Sequence, residues 1–267
     1  MTAADFHALH QGPEVLRLPN AWDAASARII ESAGAKAIAT SSAAVAWAHG
    51  FADGHHLPVS KLVATIEEIA RVVSAPITAD AEGGYADNPA DTAQNIVALM
   101  RAGAVGINIE DGREPHELHV RKVAAVRAAA EREGVKLFIN ARTDVWLKQL
   151  VAPEAALEEG VRRGKALRDA GADGFFVPML IDADALATIV REVGLPVNAM
   201  ARPGLPDAAR LQEIGVRRLS AATGVAAAAW AATRAAAEAF LETGDSDVLA
   251  QKIGAPFNYN ALFLKDG

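Results

Sequence analysis

The sequence predicts a single closed (β/α)8 barrel of the TIM type, and three observations lead there. Eight short apolar runs alternate strictly with eight amphipathic helical stretches. Several of the runs are continuously apolar, as strands buried on both faces are. The chain has 267 residues, close to the roughly 250 that one such barrel takes.

The strand candidates lie at 15–19, 35–40, 75–80, 105–110, 136–141, 174–178, 196–200 and 216–220. The helical patterns between them span 24–33, 60–73, 89–102, 118–133, 153–170, 183–193, 207–214 and 225–243. Asn88-Pro89 reads as an N-cap followed by the first helical residue, and Gly103, Gly134 and Gly171 as residues just past helix ends. The phrases SAGAKA, RAGAVG, DAGADG and EIGVRR repeat a helix end, a glycine turn and a strand start. An open doubly wound sheet is the alternative, but no glycine-rich nucleotide turn follows the first strand. Residues 1–244 form the barrel in this reading. The tail, 245–267, breaks the alternation yet holds Phe257, Tyr259, Leu262 and Phe263. It is expected to pack as a helical extension on the barrel or on a neighbouring subunit.

Composition narrows the function. Hydrophobic residues make up 51%, the net charge is −7 and there is no cysteine. No basic run supports nucleic-acid binding. Disulfides, thiolate metal sites and cysteine nucleophiles are excluded together. The first fifteen residues lack a basic start followed by an apolar run, and Arg234 and Glu238 interrupt the long Ala-rich stretch. A cytoplasmic protein without a membrane span is therefore expected.

In such barrels the active site lies at the C-terminal ends of the strands. Those ends carry Asn20, Ser41-Ser42, Asp80-Ala81-Glu82-Gly83-Gly84-Tyr85, Glu110-Asp111, Arg142, Asn198 and Ser220. Asp80, Glu82, Glu110 and Asp111 converge from neighbouring strands, where uncompensated carboxylates repel and resist burial. A hard divalent cation resolves this, and Mg²⁺ takes oxygen ligands. The alternative is that these acids cap helices or pair with Arg142. Arg142 suits a substrate carboxylate held bidentately, or a salt bridge to Glu110 or Glu82. Ser41 and Ser42 offer hydroxyls and backbone N–H groups to a carboxylate or enolate oxygen, or form a simple turn. Gly83-Gly84 allows close backbone approach or positive φ. Asp53 and three histidines, His49, His55 and His56, lie in a long polar segment after strand two, a length often used for lids and site walls. No strand end supplies a lysine, which argues against a Schiff-base aldolase.

The segments PNAWDAASARIIESAGAKAIATSS, TADAEGGYAD, GINIEDG and INARTD, in this order, resemble the isocitrate lyase/phosphoenolpyruvate mutase superfamily. The resemblance runs from about Leu16 to about Ala239. It implies Asp80 as the direct Mg²⁺ ligand, with Mn²⁺ as an alternative metal, and Glu82, Glu110 and Asp53 holding the metal mostly through waters. It implies Ser41, Ser42 and Ala43 at the substrate's carboxylate or phosphonate end, and Arg142 on a carboxylate. The expected ligands are α-keto acids or 2-hydroxy acids that give them, handled through an enolate-like intermediate. A homotetramer is implied, with a dimer as the alternative.

The sequence departs from the superfamily after strand four. The Lys-Cys-Gly-His loop of its lyases is absent, and so are the Lys and Asn of its mutases and phosphonate hydrolases; DGREPHELHVRK stands there instead. The expected activity is C–C bond cleavage, as lyase or decarboxylase, of a small keto or 2-hydroxy (di)carboxylic acid. Asp80, Arg142 and Asn198 join Ser41–Ala43 as substrate contacts. His116, Tyr85 and a bound water are the candidate proton donors. A C–C or P–C hydrolase, or a keto-acid-binding protein with little catalysis, are the alternatives.

Overall fold

The computed structural model describes residues 3–253 and 257–264. All its strand pairings are parallel: β1 Leu16–Leu18, β2 Asn20–Ala21, β3 Ile38–Thr40, β4 Ile77–Asp80, β5 Ala104–Glu110, β6 Phe138–Arg142, β7 Gly174–Phe176, β8 Val197–Met200 and β9 Arg218–Ser220. The hydrogen-bonded order runs β1-β9-β8-β7-β6-β5-β4-β3-β2. β1 and β2 are one barrel strand divided at Pro19, which has no N–H to give to the ladder. Leu16–Leu18 pairs with β9 on one side and Asn20–Ala21 with β3 on the other, so the sheet closes on itself. All eight predicted strands are present, and the predicted helices fall within a few residues of their expected ends. Asn88 accepts from the Asp91 N–H as a cap, and Gly103, Gly134 and Gly171 adopt positive φ.

Strand alternation sorts the side chains into two environments. Outward-facing Ile77, Ile107, Ile109, Ile139, Phe175 and Val197 join the main core with helix residues such as Leu62, Ile66, Ile96 and Leu186. The inward side is layered. At the N-terminal end Phe6, Leu16, Leu18, Ala37, Ala39 and Phe138 form a separate apolar cluster. The middle holds Asn108, Asn140, Asn198 and Arg218, linked to one another by hydrogen bonds. Acids lie above them at the C-terminal end.

Two helices were not legible in the apolar pattern. Ala3–Leu9 is short and closes the base of the barrel with Phe6, which is fully buried; a Cβ on Gly106 would lie 2.6 Å from its ring. Ser42–Ala48 follows β3 directly, too short and too uniformly apolar for a helical period to stand out. Beyond the last barrel strand, helix Gly224–Thr243 buries only Ala226. The tail then forms helices Ser246–Ile253 and Tyr259–Phe263, and the second returns to helix Ala24–Ser32, where Arg28 Nε donates to the Leu262 carbonyl at 2.8 Å. The parts of the expected extension at 254–256 and 265–267 lie outside the described residues. No helix among the described residues is long and apolar enough to cross a membrane.

Phe6→Ala empties the base of the barrel. Urea denaturation should show a loss of about 3–5 kcal/mol, the range for a buried Phe→Ala change.

Candidate active site at the barrel mouth

The ends of β4 and β5 carry the acids, and backbone bonds fix their relation. The Ala81 N–H donates to the Asn108 carbonyl at 3.0 Å and the Glu110 N–H to the Glu82 carbonyl at 2.9 Å. Asp80 is buried. Its Oδ2 accepts from the Ser42 N–H at 3.0 Å and its Oδ1 from Asn108 Nδ2 at 3.5 Å, while its own N–H donates to Thr40 Oγ1 at 2.9 Å. Ser41 caps helix Ser42–Ala48, its Oγ accepting from the Ala44 N–H at 3.5 Å, so that the helix N-terminus faces Asp80. Ser41, Ser42 and Ala43 are all buried here.

Glu82 is held by neutral donors. Its Oε2 accepts from the His55 N–H, and its Oε1 from the Tyr85 hydroxyl at 3.0 Å. The His55 ring in turn accepts the Gly83 N–H at Nε2, 2.9 Å away. Glu82, Tyr85 and His55 all have positive φ, at 48°, 55° and 64°. Left-handed backbone at a residue with a side chain costs about 1–3 kcal/mol and collects at functional sites. Gly84 also has positive φ, and a Cβ there would meet Thr92 Cγ2 at 2.4 Å, so only glycine fits. At Gly83 a Cβ would come 2.9 Å from the His55 ring, so this glycine admits the imidazole. Asp53 is exposed on the 49–58 loop, close enough for its charge to raise the pKa of Glu82.

Arg142 lies between two carboxylates, with Nη1 2.5 Å from Glu110 Oε2 and Nε 2.7 Å from Asp144 Oδ1. The Glu110 alternative raised for it from the sequence is thus present, and the Glu82 one is not. Asp111 is not part of the open cluster. Its carboxylate takes Arg163 Nη1 at 2.7 Å, the Thr143 hydroxyl at 2.7 Å and the Asp144 N–H at 2.8 Å. His116 is buried, and neither ring nitrogen has a hydrogen-bond partner; burial and the nearby Arg163 hold its pKa down. It does not line the cavity at the barrel mouth. Asn198 lies in the interior polar layer, donating to the Ala199 carbonyl at 2.7 Å and to Ser220 Oγ at 3.2 Å.

Sequence reasoning missed three supports. Asn108 relays between Arg218, whose Nη2 donates to its Oδ1 at 3.1 Å, and Asp80. Arg218 is 1% exposed, and burial lowers its pKa to about 9. Lys122 is fully buried, its Nζ 2.7 Å from both Glu114 oxygens and 3.1 Å from the Gly83 carbonyl, and so ties the loops after β4 and β5 together. The alternation along Gly106-Asn108-Glu110 and Arg218-Ser220 carried the first two, had inward and outward faces been assigned. Lys122 gave no sign, because a helix lysine reads as solvated.

The cavity at the mouth has a volume of about 310 Å³ and is lined by Glu82, Glu110 and Glu114 together with His55, Arg113 and Lys148. Ligand pockets run from about 300 to 1,000 Å³, so this one suits a small acid and not a nucleotide. Among the described residues, no three His, Asp or Glu side chains converge closely enough to wrap a cation directly. Mg²⁺ usually takes one or two carboxylates and keeps several waters. Asp80 receives two neutral donors and no cation at hydrogen-bond range, and its charge acts on Glu82 and Glu110 nearby, a donor set that fits such a hydrated ion.

A family model described as phosphoenolpyruvate phosphomutase matches residues 6–241. The chain belongs to the phosphoenolpyruvate mutase family. Within this family's fold, it is similar to the crystal structure of a candidate phosphonomutase from Burkholderia cenocepacia J2315, with a TM-score of 0.85 and 39% identity over 89% of this chain and 99% of that one. It is similar also to the crystal structure of 2,3-dimethylmalate lyase, with a TM-score of 0.82 and 27% identity over 94% of this chain and 93% of that one. An oxaloacetate decarboxylase of Pseudomonas savastanoi pv. phaseolicola is 31% identical over 219 residues, 79% of this chain and 75% of the relative.

Burial pushes Glu110 up from 4.5 to about 8; Arg142 opposes the shift, and Asp144 and Asp80 add to it. Between those values the folded state binds a proton that the unfolded chain has released. This part of the stability is therefore full below about pH 4.5 and is lost as pH rises to about 8. Burial shifts Glu82 the same way. Denaturation without divalent cation at pH 5 and pH 8 should show this decline, and Glu110→Gln should make it shallower. An unchanged slope in the variant would refute the assignment.

Proposed function

We propose that this chain is a Mg²⁺-dependent carbon–carbon lyase or decarboxylase acting on a small α-keto or 2-hydroxy dicarboxylic acid. One observation carries the reading: Glu82 and Glu110 line one small cavity, Asp80 lies close enough for its charge to act on both, and at Asp80 and Glu82 the partners are neutral donors. Mn²⁺ would serve the same donors. The similarity to an oxaloacetate decarboxylase and to 2,3-dimethylmalate lyase supports a small acid as substrate.

In this reading Asp80 would hold the cation directly, and Glu82, Glu110 and Asp53 would hold it through waters. When bound, Mg²⁺ supplies Lewis-acid stabilisation for the negative charge that develops as the C–C bond breaks. The Ser41–Ala43 segment at the helix N-terminus receives the substrate's carboxylate or enolate oxygen. Arg142 is preset by Glu110 and Asp144 and holds a carboxylate beside the reacting carbons. Asn198 acts from beneath, through the interior polar layer. Burial and the Glu82 charge raise the Tyr85 pKa, so the phenol keeps its proton and donates it to Glu82. It is a better placed proton donor than His116, because it is bonded directly to Glu82 while His116 is buried beside Arg163.

A panel of oxaloacetate, 2-oxoglutarate, methylisocitrate and phosphonopyruvate, assayed with and without EDTA, tests this. At least one C–C bond should be cleaved, and EDTA should abolish cleavage. Asp80→Ala should lower turnover by about a hundredfold or more, because Lewis-acid stabilisation is worth several kcal/mol. Phosphate release from phosphonopyruvate would favour P–C hydrolysis instead. Binding without turnover of any acid would reduce the protein to a keto-acid binder.

The site is also proposed to work in a homo-oligomer, a tetramer or else a dimer. Helix Gly224–Thr243 leaves Phe240 and Leu241 exposed, and Trp47 is 46% exposed beside Trp230. A groove of about 750 Å³ also opens along Val15, Arg17, Ile29 and Ala33. A second copy's helix is the proposed cover for these apolar faces. Light scattering should give a multiple of 27.8 kDa, and Phe240→Glu with Leu241→Glu should shift it toward the monomer.

A further inference from the structure

The cations around the mouth differ in how fully they are used. Arg142 is shared between Glu110 and Asp144. Arg163 is divided between Asp111 and Glu159. Lys122 is closed off by Glu114 and the Gly83 carbonyl. Lys148 is different. Its Nζ makes one ion pair, with Asp144 Oδ2 at 3.3 Å. The Lys148 side chain is 35% exposed and lines the same cavity as Glu82 and Glu110. With three N–H donors and this one partner, it keeps donors for a ligand in that cavity.

Local structure brings it there. The Lys148 N–H donates to the Asp144 carbonyl at 2.8 Å, which sets the lysine one turn above the acid that braces Arg142. The connection after β5 passes against it at Gly112, with φ 54°; a Cβ there would lie 3.3 Å from Lys148 Nζ. The ammonium therefore sits between the β5 and β6 loops. Its charge is felt at both Glu110 and His55, which line the same cavity.

We propose that Lys148 receives the distal carboxylate of the substrate and so makes the site selective for dicarboxylates over monocarboxylic keto acids. The inference rests on the keto-acid reading above and sharpens its substrate class. An acid held at its keto-carboxylate end near Asp80 and Arg142 extends toward the cavity opening, where Lys148 offers a compact charge with unspent donors. Arg113 lines the same cavity but is exposed to solvent on the 111–115 connection, where screening weakens it.

Calorimetry on the full chain with Mg²⁺ tests this with two unreactive probes. Oxalate reaches only the metal end, and 3,3-difluorooxaloacetate carries a distal carboxylate. Lys148→Met should raise the Kd of difluorooxaloacetate by about tenfold to a hundredfold, the worth of a charged hydrogen bond. It should leave the oxalate Kd within about twofold. Lys148→Arg should recover most of the loss, and Arg113→Met should change neither value by more than about twofold. Equal effects of Lys148→Met on both probes, no effect on either, or a larger loss from Arg113→Met would overturn the assignment while leaving the keto-acid reading in place. A wild-type protein that binds neither probe would overturn both.

Discussion

Three carboxylates from two adjacent strands share the mouth of this barrel, and much of the surrounding structure serves to hold them there. Like charges at short range in a poorly solvated site cannot all ionise without compensation. The compensation is unequal. Glu110 has Arg142, Glu82 has a backbone N–H and a phenol, and Asp80 has one backbone N–H and one side-chain amide. The left-handed residues Glu82, Tyr85 and His55 and the obligatory glycine at 84 lie in this same region. Local backbone conformation is given up there in exchange for the direction in which the acids point.

Beneath the acids the barrel interior is polar. Arg218 reaches Asp80 through Asn108, and the Asn140–Asn198 pair completes the layer. Several atoms of this layer, among them Arg218 Nε and Nη1 and Asn140 Oδ1, find no partner within the protein. Burying a charge so incompletely paired is costly. Its position under an acid cluster gives it a reason: Asp80 is the charge that offsets the loss of hydration at Arg218. An apolar plug, with Phe6 at its centre, seals the base. The interior thus runs from apolar to cationic to anionic along the barrel axis.

The fold was legible because strand and helix periods differ and because glycines and caps mark the joints. What escaped was short or uniform. Ser42–Ala48 is seven residues without a polar face, and the division of the first strand depends on a single missing N–H at Pro19. In the site, residue type and strand-end position were enough to bring out Asp80, Glu82, Glu110 and Arg142. Two things were not: whether a strand-end acid is open or already satisfied, and which helix residues reach back. Asp111 looked like Glu110 in the sequence, yet three donors close it. His116 sat in the right loop but turns inward beside Arg163. Both distinctions depend on partners more than thirty residues away, which no local pattern encodes.

The unequally compensated acids are proposed to form one cation site led by Asp80. A crystal grown with Mn²⁺, with anomalous scattering recorded, tests it most directly. One peak is expected at the barrel mouth, bonded to Asp80 at about 2.1 Å and linked by waters to Glu82 and Glu110. A peak elsewhere, or none at the mouth in a crystal saturated with the ion, would contradict it.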